Sequence, residues 1–191
     1  ENDIPSIFAR LRTPAGRRFG YIGLHPRPPQ VGTDTQERDA EIAVGARIAA
    51  KAGLPVLAMG DFNDVAWSDT SELFKRVGTY LDPRIGRGFY ATFPASLPAF
   101  RWPLDQIYFT EEFSIDRLEV LGKVGSDHLP IIAQMCLAPA VGERVNEEPE
   151  AIEGEDLKEA NEIIEKGIRT EAREEVTGST DGEREKRNRE E

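Results

Sequence analysis

The chain has little of three things: cysteine, histidine and long apolar segments. It contains one cysteine and two histidines among 191 residues. A single cysteine excludes an internal disulfide, and no stretch approaches the roughly 18 apolar residues of a membrane-spanning helix. A structural zinc site is poorly supported, because such sites take mostly cysteine and histidine ligands. Cys136 lies in an apolar run, which predicts that it is buried.

The acidic excess is confined to one end of the chain. Residues 139–191 hold 18 acidic and 9 basic residues, a net charge of −9, so the total of −11 leaves −2 for residues 1–138. A near-neutral body gives no general electrostatic argument for nucleic acid. We predict a globular unit over residues 1–138. Residues 139–191 are predicted to be an acidic tail, a loosely attached helix with an apolar stripe of Leu157, Ala160, Ile164 and Ile168 followed by disorder.

The apolar periodicity predicts alternating strands and helices. The capping-box-like pair Asp34 and Glu37 opens the first helix, with Ala40, Val44 (together with Ala43) and Ile48 as its apolar stripe. Residues 81–100 are rich in Gly, Pro, Arg and aromatic residues and predict a long surface loop. Strands are expected over residues 7–11, 19–24, 56–59, 104–109, 117–121 and 130–137, and helices over about 34–51 and 69–77.

Two polar clusters stand beside predicted strands. Asp61 and Asn63 follow the wholly apolar run 56–59, and Asp127 and His128 precede the strand at 130–137. Each residue alone could serve a turn, but two oxygen-bearing side chains in one short loop are less easily explained that way. Carboxylates hold a divalent cation, an amide orients a phosphate oxygen, and an imidazole handles a proton or a developing charge. The clusters therefore point to metal-assisted phosphoester hydrolysis.

Two further residues are weaker candidates. His25 lies where a predicted strand gives way to the proline-rich residues 26–29, which cannot continue it. Asp105 shares a side with Ile107 and Phe109 by the two-residue period of a strand. A carboxylate on an apolar face needs a partner or a cation, and it could orient an imidazole.

Taken together, these runs resemble the endonuclease/exonuclease/phosphatase superfamily. The resemblance covers about residues 4–137 and rests on Gly-Asp-Phe-Asn at 60–63, Leu-Asp-Gln-Ile at 104–107 and Ser-Asp-His-Leu-Pro at 126–130. His25 matches a histidine that many members carry at the end of an earlier strand. The resemblance implies an α/β (α+β) fold, a four-layer αββα sandwich of two packed mixed or antiparallel sheets, with the site at one end.

The resemblance also implies a reaction, in-line attack of water on phosphorus. Asp61 would position or deprotonate the water, Asn63 would hold a phosphate oxygen, and His25 would face the phosphate as an acid or electrostatic group. Mg²⁺ or Mn²⁺ would offset the charge of the transition state.

The second histidine completes the implied site. His128, oriented by Asp105, would contact the phosphate and stabilise the transition state. Asp127, together with Asp61, would contribute to the metal site.

Family members carry an asparagine and a metal-binding glutamate in an N-terminal half that has no counterpart here. We therefore expect the chain to be the C-terminal half of the domain, binding metal weakly by itself and exposing an apolar edge.

Two functions remain open. The first is a metal-dependent phosphoesterase, whose substrate we expect to be a lipid or sugar phosphate slightly more than a nucleic acid, although residues 84–102 could also grip nucleic acid by stacking and phosphate contact. The second is a non-catalytic scaffold that acts through the acidic C-terminal helix. A Leu-His-Pro run like that of membrane-linked bacterial members would imply an extracytoplasmic location if membrane helices lie upstream.

Overall fold

A computed structural model describes residues 6–28 and 35–190 of the chain, with side chains described as far as residue 172. The predicted strands and helices are confirmed, with boundaries shifted by a few residues. In chain order they are β1 (Ile7–Arg12), β2 (Arg18–Leu24), α1 (Gln36–Ala50), β3 (Val56–Asp61), α2 (Asp69–Gly78), β4 (Asp105–Phe109), β5 (Phe113–Val120), β6 (Ile131–Leu137), α3 (Pro139–Val145) and α4 (Gly154–Glu190), with one 3₁₀ turn at Pro98–Phe100.

The strands form two sheets that pack against each other. The larger sheet has the order β1-β2-β3-β4, in which β2 and β3 are parallel and the outer pairs are antiparallel. The smaller sheet is the antiparallel pair β5 and β6. The rings of Phe19 on β2 and Phe113 on β5 meet edge to face, with centroids 5.7 Å apart. The predicted α+β class with two packed sheets is confirmed.

The main core lies between the larger sheet and its helices. Alternate residues of the sheet, among them Ile22, Ala58 and Tyr108, are buried against α1 and α2. From α2 the core receives Leu73 and Phe74, which lie on one side of a strongly amphipathic helix. This packing holds the inner strand β3 and the neighbouring edge strand β4 against the helices, so the residues at their ends are held firmly.

Helix α1 buries only part of its predicted apolar stripe. Ala40 and Ala43 of the stripe are buried, together with Ile42 and Ala46 outside it, whereas Val44 and Ile48 are exposed beside an apolar cleft. Small alanines allow the helix to approach the sheet closely, which spacing alone did not reveal. The predicted cap residue Asp34 lies outside the described residues.

Helix α4 is packed more closely than the predicted loose attachment. Ala160 is fully buried in the main core, and the Asp156 carboxylate accepts a 2.8 Å hydrogen bond from the Arg76 guanidinium of α2. Gly167 crosses Ala40 of α1 so closely that a Cβ there would lie 2.3 Å from the alanine methyl. The division into residues 1–138 and 139–191 stays a prediction. No helix in the described part of the chain is long and apolar enough to cross a membrane.

The prediction that Cys136 is buried is wrong. Along β6 exposure alternates, and Cys136 lies on the exposed side with Ile132. The two-stranded sheet has one side toward the larger sheet, and the described residues leave its other side uncovered. An apolar run therefore did not mean that both faces of this strand are buried.

Candidate active site

The ends of three neighbouring strands bring the polar clusters to one edge of the larger sheet. In the β2–β3 register Leu24 lies opposite Gly60, and in the β3–β4 register Asp61 lies opposite Asp105. Parallel strands carry their carboxyl ends to the same edge, and the antiparallel β4 begins there. As a result His25, one residue after β2, lies close to Asp61.

Gly60 permits this close approach. Its φ is +154°, and a Cβ at this position would lie 1.8 Å from the carbonyl oxygen of Leu24. Any side chain would push β2 and β3 apart at the point where His25 and Asp61 face each other. The glycine of the Gly-Asp-Phe-Asn run is therefore a steric requirement of the site.

Asp61 is the centre of the cluster. Its Oδ2 atom lies 3.6 Å from Nε2 of His128 and 3.8 Å from Nε2 of His25. Its Oδ1 atom accepts a 2.9 Å hydrogen bond from the backbone N–H of Asn63, which fixes the orientation of the carboxylate. One carboxylate oxygen thus stays directed toward the space between the two imidazoles.

His128 is held between two carboxylates. Its Nδ1 atom lies 2.7 Å from Oδ2 of Asp105, while Nε2 faces Asp61. Its backbone N–H donates to Oγ of Ser126, and its ring lies 4.6 Å from the ring of Phe93. The predicted apolar-face carboxylate therefore has an imidazole as its partner.

These surroundings shift two pKa values upward. Burial raises the pKa of Asp61, and the nearby Asp105 charge adds to this, against the Asn63 hydrogen bond and the two histidines, which lower it. For His128, burial lowers the pKa, but the hydrogen bond and charge of Asp105, with the charges of Asp61 and Asp127, raise it above the ordinary value. Asp61 therefore ionises less readily, and His128 keeps its proton more readily, than the same side chains in water, and perturbed pKa values of this kind are typical of functional sites.

Asn63 and Asp127 lie at the border of the cluster. Asn63 has a φ of +48°, and its side-chain amide donates a 2.8 Å hydrogen bond to the carbonyl oxygen of Pro26. It thereby ties the loop after His25 to the loop after β3. Asp127 is exposed, and its carbonyl oxygen accepts a 2.7 Å hydrogen bond from the backbone N–H of Ala95. The structure therefore gathers His25, Asp61, Asn63, Asp105 and His128, with Asp127 on the adjoining turn.

A buried polar network under the site was missed by sequence reasoning. The Arg38 guanidinium donates to the carbonyl oxygen of Asn63 at 3.1 Å and lies 3.3 Å from Oδ1 of Asp64. The buried Gln106 amide donates to the carbonyl oxygen of Asp64 at 2.6 Å. Gln106 lies on the same side of β4 as Tyr108 of the main core, whereas the sequence placed the apolar side at Asp105, Ile107 and Phe109. Nothing near Arg38 in the sequence indicates that contact.

The donor set suits magnesium only in part. Among the described residues, no three acidic, histidine or cysteine side chains converge as an all-protein metal site would require. Mg²⁺, however, commonly takes one or two carboxylates and completes its shell with water and substrate phosphate. Oδ2 of Asp61 and the exposed carboxylate of Asp127 could serve as such ligands. A bound cation would stabilise the ionised Asp61 carboxylate and so oppose the increase in its pKa that burial causes.

Comparison with known proteins identifies the family. A sequence model of the endonuclease/exonuclease/phosphatase family matches residues 2–128, two thirds of the chain. The chain belongs to this family. No curated protein sequence matches it.

Solved structures of the family share the fold. The human Nocturnin catalytic domain with bound sulfate is 17% identical, with a TM-score of 0.54, over 70% of this chain and 53% of that one. D. rerio TDP2 complexed with a single-stranded DNA product is 17% identical, with a TM-score of 0.56, over 69% and 61%. A mannosyl-6-phosphatase of Bacteroides thetaiotaomicron VPI-5482 is 20% identical, with a TM-score of 0.50, over 63% and 52%. The chain spans about half to three fifths of the length of these proteins.

Proposed function

We propose that this chain carries catalytic residues of a phosphoester hydrolase. The observation behind the proposal is that Asp61 Oδ2 faces both His25 and His128, while Asp105 holds the far nitrogen of His128. A half-buried carboxylate beside two imidazoles at an open sheet edge is an arrangement suited to activating water next to an anion. Membership of the family and a fold shared with a phosphatase and with DNA-bound TDP2 support the reaction class.

In the proposed reaction a water molecule attacks phosphorus in line with the leaving oxygen. Asp61 accepts the proton of the water as the new O–P bond forms, and the bond to the leaving oxygen breaks on the opposite side. His128, whose protonated form Asp105 favours, donates a hydrogen bond to a non-bridging oxygen, where negative charge grows in the transition state. His25 faces the same phosphate from the β2 side, and Asn63 holds an oxygen through the amide hydrogen that Pro26 does not engage.

We further propose that the reaction uses Mg²⁺ or Mn²⁺ with Asp61 and Asp127 as protein ligands. When bound, the ion would neutralise phosphate charge. The rest of the proposal concerns the side chains of this chain, which orient the phosphate and move the proton.

The scaffold alternative receives less support from the packing of α4. A helix that docks in a partner's groove needs a free apolar stripe. In α4 Ala160 is buried and Ile164 packs against the core, so the middle of the predicted stripe is already used. Leu157 and Ile168 are the exposed members.

The proposal is tested by hydrolysis of an activated phosphodiester with Mg²⁺ or Mn²⁺ and with EDTA. We expect metal-dependent turnover that His128→Ala and Asp61→Asn reduce by about a hundredfold or more. Asp116→Asn is the matched control, because it removes the same negative charge as Asp61→Asn at an exposed position on β5. Turnover that survives both site variants would refute the assignment. If the chain alone is inactive, the assay is repeated on a form extended upstream, and inactivity there as well would favour the scaffold.

A further inference from the structure

Large apolar side chains are exposed around the loops beside the site. We call the set Trp67, Phe89, Leu97, Phe100 and Trp102 the aromatic rim. Each member is between 50% and 70% exposed. Trp67 stacks on Phe89 with ring centroids 5.6 Å apart and lies 6.4 Å from the ring of Trp102. These three therefore form one continuous surface rather than scattered exposed residues.

The aromatic rim adjoins the catalytic cluster. The backbones of Trp102 and Phe93 pair as an isolated antiparallel bridge, and the ring of Phe93 lies 4.6 Å from the His128 ring. Trp67 lies four residues after Asn63 in the same loop. A molecule bound on the rim would therefore lie next to the site.

The loop that carries Leu97 and Phe100 is braced from within. The Arg101 guanidinium donates to the carbonyl oxygens of Pro94 and Ala95, at 3.3 and 2.8 Å. The backbone N–H of Ala95 donates to the carbonyl oxygen of Asp127. The loop thus holds its shape through polar contacts, while its two largest apolar side chains make no contribution to the core.

The charge of this segment is opposite to that of the whole chain. Residues 83–104 contain three arginines and no acidic residue, in a chain of net charge −11. Arg84 is buried and paired with Asp82 at 2.7 Å. Arg87 is exposed and Arg101 is half-buried, so the segment that supplies most of the rim keeps two positive charges.

We propose that the aromatic rim docks the chain on an anionic lipid surface. Tryptophan and phenylalanine favour the membrane interface, leucine favours the acyl region, and arginine attracts headgroup phosphate. Single-stranded nucleic acid also binds aromatic and basic surfaces, but base stacking uses flat faces and gains little from the exposed aliphatic Leu97. The inference rests on the proposed function in one respect: it assigns the site a phosphoester carried by a lipid surface.

The chain's two tryptophans, Trp67 and Trp102, both belong to the aromatic rim, so selectively excited tryptophan fluorescence reports on this surface alone. We would titrate the full chain with vesicles of phosphatidylcholine, with or without phosphatidylglycerol, and measure flotation in parallel. We expect a blue shift and co-flotation with the anionic vesicles. The double substitution Leu97→Ser and Phe100→Ser should weaken binding about tenfold or more. Arg87→Gln should weaken binding only to the anionic vesicles.

Ile132→Ser is the matched control, because Ile132 is an exposed apolar residue on β6, outside the rim. Circular dichroism confirms that each variant is folded. Absence of a blue shift, or equal loss of binding in the rim and control variants, would overturn the proposal. Quenching by single-stranded DNA without any vesicle binding would overturn it in favour of nucleic acid. None of these measurements requires turnover, so an inactive chain would not count against the rim.

Discussion

Asp61 and Asp105 lie opposite each other in the β3–β4 register, and their carboxylates contact the same imidazole from its two nitrogens. One carboxylate faces Nε2 of His128 and the other holds Nδ1. Two acidic groups placed so closely repel each other, and a protonated histidine between them offsets that repulsion. The register of two adjacent strands thus brings two carboxylates to one imidazole.

Replacing Asp105 should lower the pKa of His128. The hydrogen bond and charge of Asp105 favour the imidazolium. Asp105→Asn therefore removes the main interactions that raise the His128 pKa against the lowering effect of burial. We expect the His128 resonance to titrate at lower pH in NMR, and catalysis to fall by about a hundredfold, with its alkaline limit moved to lower pH. With only two histidines, His25→Gln assigns the signals. An unchanged titration midpoint would contradict the role of Asp105.

Adding a single methyl group at Gly60 should damage both the fold and the site. In Gly60→Ala the new Cβ meets the Leu24 carbonyl oxygen, so β2 and β3 must separate next to His25. We expect a loss of about 2 kcal/mol or more in the free energy of unfolding, measured with urea, and a loss of activity. Gly122→Ala is the control, since a Cβ there meets nothing within 4 Å. Equal stability of the two variants would show that the strands adjust freely.

The Arg38–Asp64 pair should stabilise the loop that carries Asn63. Arg38→Met leaves the buried Asp64 carboxylate without its guanidinium, which we expect to cost about 1–3 kcal/mol in unfolding free energy. A double-mutant cycle with Asp64→Asn measures the coupling. Additive effects would mean that the pair contributes nothing beyond its separate packing. Because Arg38 also donates to the Asn63 carbonyl oxygen, turnover should fall as well.

Asp156 should make the stability of the chain depend on pH. Hydrogen bonds from Arg76 and from the backbone N–H of Glu153 lower the Asp156 pKa. The stabilisation is therefore complete above the pKa of an unfolded aspartate and is lost as the pH falls through the lower folded value. At neutral pH Asp156→Asn removes the charge that pairs with Arg76, which should cost about 0.2–1 kcal/mol, while the asparagine oxygen can still accept the hydrogen bond from the backbone N–H of Glu153.

The check on Asp156 is to unfold the wild type and Asp156→Asn in urea at several acid pH values and to compare their free energies of unfolding. The stability difference between wild type and variant should shrink toward zero below the folded pKa. A difference that stays constant with pH would mean that the ionised form of Asp156 is not what stabilises the start of α4.

Local sequence determined most of the elements and most of the site. The apolar run before Asp61 forms a strand of the sheet, and the alternation along β4 sets the sides taken by Asp105 and Gln106. These are short-range properties, since period and turn chemistry act within a few residues. The family resemblance rested on such runs and was confirmed.

Tertiary packing decided the contacts between segments far apart in the chain. Arg38 reaches the Asn63 loop, and Phe93 reaches the His128 ring, through the placement of α1 and of the 83–104 loop, which no local pattern encodes. Cys136 shows the same limit. Its apolar neighbours predicted burial, but whether a strand face is covered depends on which other elements lie against it. Sequence periodicity determines on which side of a strand or helix a residue lies. Only the packed structure determines whether another element covers that side.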